Sequence, residues 1–158
     1  MGRAGRPGRG KGRPLSGDPF NLARFIKPQD AAWPQVVAEL TAGRKRSHWI
    51  WFIFPQIAGL GSSVRSIHFA IGSHDEAIAY LAHPLLGARL RDATQAMLAI
   101  DNKSALEILG SPDDLKFQSS MTLFNTVEPN DIFAIALEKY FSGERDTRTL
   151  STLREINK

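Results

Sequence analysis

The sequence predicts an all-α fold, a compact orthogonal array of about eight helices behind a disordered, basic N-terminal tail. Three observations carry that prediction. Helix-start and helix-stop residues recur in series, with apolar residues spaced three and four apart between them. The intervening connections run two to eight residues, the length helical folds use. No pair of alternating strands is joined by an Asn-Gly or Asp-Gly turn. The organisation that follows is a tail, residues 1–17, and one helical domain, residues 18–158, large enough for a single core.

Asp18-Pro19 reads as an N-cap with proline at the first helical position, and Leu22, Phe25 and Ile26 form a stripe that stops at Pro28. A second helix is expected over Ala31–Ala42, with Pro34 in its first turn, Val36, Val37 and Leu40 inward, and Gly43 as the stop. Ser62 reads as the cap of a short helical pattern from Val64 to Ile71. Ser73, followed by Asp75 and Glu76, opens the next helix, with Ala77, Ile78 and Leu81 as its apolar residues. Pro84 starts the longest regular stretch, where Leu86, Leu90, Ala93, Met97 and Ile100 share one face. Ser104 caps a short helix ending at Gly110. Ser111-Pro112-Asp113-Asp114 supplies a cap, a proline and two carboxylates for a surface helix that turns Phe117, Met121 and Phe124 to one side. Asn130 or Asp131 opens a helix with Ile132, Ile135, Ala136 and Tyr140 inward, and Thr147 to Ile156 forms the last.

Charge and composition exclude several functions. The pI near 9.7 suggests nucleic acid until the charges are located. Residues 1–17 hold Arg3, Arg6, Arg9, Lys11 and Arg13 and no acid, which leaves 15 cations against all 16 acids in the body. The basicity therefore belongs to the tail, whose Gly, Arg and Pro content predicts disorder and reads first as a dispensable solubilising extension, with a weak, salt-dependent contact with RNA or another polyanion as the alternative. No cysteine is present, so disulfides and thiolate metal sites are excluded, in keeping with a cytoplasmic location. The four histidines show no metal-ligand spacing, and no cofactor motif is found.

The stretch RKRSHWIWFIFPQIAGLG, residues 44–61, is the most unusual in the chain. Its apolar run is far too short to cross a bilayer and too dense for an exposed stacking strip. It reads as a core element edged by polar groups, which is how small-molecule sites are commonly built. Arg44 and Arg46 are the candidates to meet a ligand's charge, Trp49 or Trp51 to stack on a ring, and His48 and Gln56 to hydrogen-bond. His48 is the one candidate catalytic acid or base. Lys116 and Ser120, four apart on a helix, complete the candidate set, although their spacing is not that of a Ser-Lys hydrolase.

That block and SPDDLKFQSSMTLF, together with DPFNLARF and YLAHPLLGARL, resemble the bacterial domain-of-unknown-function family numbered 1810, from about Asp18 to Leu150. The resemblance implies a small, mainly helical, cytoplasmic protein with no established activity, and it supplies no catalytic residue. Some such proteins carry a calpastatin label, but a calpain inhibitor would be disordered and repetitive. A fainter similarity is to helical NAD- and ADP-ribose-processing proteins that cleave N-glycosidic bonds, whose Trp-Pro-Ser…Glu-His block this chain lacks. Two functions follow. One is a pocket between residues 44–61 and the Asp113–Thr122 helix start, for a small anionic ligand of nucleotide or ADP-ribose type and with N-glycosidic hydrolysis as a possible reaction. The other is a non-enzymatic interaction module whose aromatics are core and whose tail contacts a polyanion.

Overall fold

A computed structural model describes residues 17–156, and the expectations for the basic tail lie outside the described residues except at Gly17. Nine helices are found among those residues: α1 (Ala23–Ala42), α2 (Ile50–Ile53), α3 (Val64–His68), α4 (His74–Ala82), α5 (Pro84–Leu98), α6 (Ala105–Leu109), α7 (Asp113–Val127), α8 (Ile132–Phe141) and α9 (Thr147–Ile156). The β-structure described amounts to a single parallel bridge, Ile57 to Ile71. No described helix is long and apolar enough to cross a membrane.

Local chemistry sets most helix starts. The side chains of Ser73 and Ser104 accept from the N–H groups of Glu76 and Glu107, and Glu107 returns a bond from the Ser104 N–H. The Asp131 side chain caps α8, and His83 Nδ1 accepts from Leu85 and Leu86 at the start of α5. Ser63, not the expected Ser62, caps α3, which ends at His68.

The two helices expected before Gly43 are one. α1 runs through Pro28 and Pro34 and, at 20 residues, exceeds α5 in length. Phe25, Gln29, Val36 and Leu40 fall on one buried stripe, so packing keeps the helix in register where the prolines remove donors. Pro34 faces solvent, where water can reach the carbonyl that its missing N–H leaves unpaired. Val37 is 45% exposed, not inward, and Ile135 is 59% exposed while Phe133, Ala136 and Leu137 form the buried face of α8.

The larger correction concerns α7. Pro112 takes the N-cap position after a cis Ser111–Pro112 bond, and no side chain caps the helix. Nor is it a surface helix: every residue from Ser119 to Asn125 is buried, because α2, α4, α6, α8 and α9 all pack around it. Its rings extend the core, with Phe117 4.8 Å from Phe54 and Phe124 5.5 Å from Tyr80, centroid to centroid. Tyr80 is fully buried, and burial pushes its hydroxyl well above the ordinary tyrosine range although the Gln29 hydrogen bond opposes the shift.

The α4–α5 corner depends on one missing methyl group. A Cβ on buried Gly87 would lie 2.1 Å from the Leu81 carbonyl oxygen. Gly→Ala inside a helix ordinarily stabilises by up to about 1 kcal/mol. Gly87→Ala is expected to destabilise instead, by about 1–3 kcal/mol, as the two helices are forced apart. Urea unfolding of the variant checks this.

Candidate functional site

Residues 44–49 are shaped by a carboxylate from another element. Glu39, on α1 and 3% exposed, accepts from the N–H of Arg46 (2.8 Å) and of Ser47 (3.0 Å), the Ser47 hydroxyl (2.5 Å) and the Trp49 indole N–H (2.9 Å). Gln35 adds a fifth bond, 2.8 Å, from one turn earlier on α1. Burial raises the carboxyl, but the bonds from Ser47, Arg46 and Gln35 outweigh it and bring it from 4.5 down to about 2. The wrapped turn leaves the side chains of Arg44, Arg46 and His48 in solvent and drives Trp49 into the core. Lys45, between the two arginines, turns inward. Its Nζ lies 2.7 Å from Asp113 on α7 and 5.2 Å from the Trp49 ring centroid.

At the other end of the block the chain leaves α2, buries Phe54 and Ile57, and pairs Ile57 with Ile71. This bridge closes a loop over residues 58–70 that carries α3, and no residue of α3 is buried. Arg24 fixes the returning strand of that loop. Its guanidinium donates to the carbonyls of His68 (2.9 Å) and Ala70 (2.7 Å) and to the Glu76 carboxylate (2.6 Å).

Between this loop and the first turns of α7 and α9 lies a cleft of about 400 Å³. Gln56, Leu60, Gly61 and Ser66 form one wall, and Pro112, Leu115, Lys116, Gln118 and Ser119 with Asp146 and Arg148 form the other. A narrow recess of about 10 Å³ continues from it, sharing Gln56, Leu60, Gly61 and Ser66 and reaching Trp51 and Phe69. Two cations approach the Trp51 ring, with the Arg65 guanidinium and the Lys116 ammonium each 5.1 Å from its centroid. Asp146 Oδ2 accepts from the Thr149 N–H and hydroxyl at the start of α9 and from Ser119 (3.1 Å). Arg148 spans the cleft to the Leu60 carbonyl at 3.3 Å.

Of the residues proposed from sequence, Gln56 and Lys116 line the cleft and Trp51 lines its recess. Arg44, Arg46 and His48 are exposed on the Glu39 turn, and Trp49 is committed to Glu39. Ser120 is fully buried with no hydrogen-bond partner, while its neighbour Ser119 lines the cleft. Ser66, Asp146 and Arg148 were not anticipated. Arg148 did leave a signal, because a cation in the first turn opposes the helix dipole, which favours anions there. Two other clefts of similar volume offer less. Lys103, the one cation in the first, donates to the Gly43 carbonyl at the end of α1. Asp18 in the second is not the expected N-cap, since α1 starts at Ala23 after Leu22, but its carboxylate accepts from the N–H groups of both those residues. Among the described residues no group of three His, Asp or Glu could hold a metal.

The family profile described as "Protein of unknown function (DUF1810)" matches residues 19–153. The chain belongs to the DUF1810 family. Among solved structures it is similar to the conserved hypothetical protein Rv1873 from Mycobacterium tuberculosis. The two are 48% identical, with a TM-score of 0.85, over 87% of this chain and 99% of that one. No curated protein matches the chain. The DUF1810 fold is thus all-helical here, and neither the family nor that relative carries an assigned activity.

The Glu39 carboxyl yields a pH test. Its folded value lies below the ordinary 4.5, so the stability it contributes is present above pH 4.5 and is lost as pH falls toward 2. Glu39→Gln is expected to lose about 1–3 kcal/mol at pH 7 by leaving buried donors facing an amide. Its urea midpoint should also fall less than the wild-type midpoint between pH 5 and pH 3.

Proposed function

We propose that this DUF1810 protein binds a small anionic ligand of nucleotide or ADP-ribose type in the cleft between residues 56–66 and the starts of α7 and α9. The observation that carries this reading is the pair of cations, Lys116 and Arg148, on one wall of a cleft whose recess holds the Trp51 indole. Lys116 is only loosely tied to Asp113, at 3.7 Å, and Asp113 has a closer partner in Lys45. Arg148 makes one long bond to a loop carbonyl. Both cations can therefore turn to a phosphate or carboxylate at small cost. Gln56, Gln118 and Ser66 add neutral hydrogen-bonding groups, and Leu60 and Leu115 supply apolar surface.

Binding, rather than hydrolysis, is what these residues support. Asp146 is the one carboxylate lining the cleft, and three donors hold its Oδ2 as the cap of α9. His48, the histidine considered as an acid or base, is not among the cleft residues.

A thermal-shift panel of nucleotides and ADP-ribose derivatives tests the proposal. A bound ligand at a hundred times its Kd adds about 2.7 kcal/mol, a shift on the order of 8 °C for a domain of this size. Lys116→Ala and Arg148→Ala are expected to reduce the shift, and Arg44→Ala and Arg46→Ala to leave it unchanged. Removing residues 1–17 should also leave it unchanged, while abolishing any salt-dependent affinity for RNA. Equal shifts in all four point variants would place the ligand elsewhere.

A further inference from the structure

The ligand's class can be narrowed from the recess, on the reading that the cleft takes an anion. Trp51 Nε1 is buried and finds no hydrogen-bond partner in the protein, whereas Trp49 Nε1 is satisfied by Glu39. A buried indole N–H left unpaired is unfavourable, so the group invites an acceptor. The recess that Trp51 lines has room for about one atom of water size. Its other walls include Ile57, Leu60, Phe69 and Ala70, and no charged residue lines it. Arg65 and Lys116 lie over the Trp51 ring and outside this lining, so an oxyanion placed there would lose its hydration with no cation lining the recess to replace it. A neutral oxygen would not carry that penalty. The wide part of the cleft, by contrast, presents Lys116 and Arg148.

The geometry points to a two-part ligand: an anionic head held by Lys116 and Arg148, and a neutral carbonyl oxygen that accepts from the Trp51 indole N–H in the recess. Trp51 is then a specificity-determining residue. The Arg65 guanidinium over the ring holds it in place, and its edge selects carbonyl-bearing anions, such as pyrimidine nucleotides, over bare ones. Ser66 and Gln56 stand at the junction of the two compartments.

The test uses uridine 5′-monophosphate as the two-part probe and inorganic phosphate as the head alone, titrated by calorimetry into wild type, Trp51→Phe and Lys116→Ala. Trp51→Phe keeps an aromatic ring beside Arg65 and Lys116 and removes the N–H. It is expected to weaken the uridine nucleotide about five- to tenfold and to leave phosphate unchanged. Lys116→Ala should weaken both probes. If Trp51→Phe binds the nucleotide as tightly as wild type while Lys116→Ala does not, the selection is overturned and the anion site stands. Equal weakening of both probes by Trp51→Phe would assign the N–H to the anion itself and also overturn it. Failure of wild type to bind either probe removes the site and the selection together. Should Trp51→Phe fail to fold, the indole ¹⁵N–H resonances of the three tryptophans in wild type decide the matter. That of Trp51 is expected to move with the nucleotide and not with phosphate, and an unmoved signal contradicts the assignment.

Discussion

The Glu39 carboxylate is the interaction on which the rest of the site depends. Five donors from four residues converge on it, and it is nearly out of reach of solvent. A buried carboxylate survives only when its lone pairs are used, and this one uses them to tie a turn from residues 46–49 to the last turns of α1. With that turn fixed, Trp49 enters the core and the Lys45 N–H reaches the Ile108 carbonyl at 2.7 Å. The Lys45 ammonium then meets Asp113 at the start of α7. One turn further along α7, Lys116 stands over Trp51. Glu39 thus sets one wall of the cleft through a chain of contacts, without touching the cleft itself.

The cations of this chain divide by what holds them. Lys45 and Arg24 are nearly buried and spent on carboxylates and backbone carbonyls, which makes them structural. Lys103 and Lys139 donate to carbonyls at the ends of α1 and α5, where the helix dipole favours positive charge. Lys116 and Arg148 have neither commitment in full, and both border the same cleft. A neutral body can therefore present a local positive site, which neither the net charge nor the pI reveals.

Much of the fold was legible because its signals are local. Ser73, Ser104 and Asp131 cap within three residues of themselves, so the sequence window contains the whole interaction. Pro28 misled because what overrides a proline is a stripe buried by distant helices, with α5 against α1. The all-round burial of α7 was hidden for the same reason, since Ser120, Thr122 and Asn125 look like a solvated face until α9 and its neighbours cover them. In the site, Trp51 and Gln56 are legible by residue type at an apolar block, and Lys116 by its helical spacing from Ser120. Nothing local distinguishes Lys45 from the arginines on either side of it, because only Glu39, six residues earlier, decides which of the three turns inward. Asp146 and Arg148 come from the far end of the chain, and no local pattern joins them to residues 56–66.

Native-state hydrogen exchange at the Arg46 and Ser47 amides tests the central claim most directly. Both residues sit in a short loop, the Arg46 side chain is in solvent, and neither N–H belongs to a helix. If Glu39 holds the turn, both amides exchange as slowly as those in the middle of α1, because opening them requires breaking the carboxylate cluster. Exchange at the rate of an unprotected loop would show that the cluster does not hold the turn, and the ordering from Glu39 through Lys45 to the cleft would fail with it.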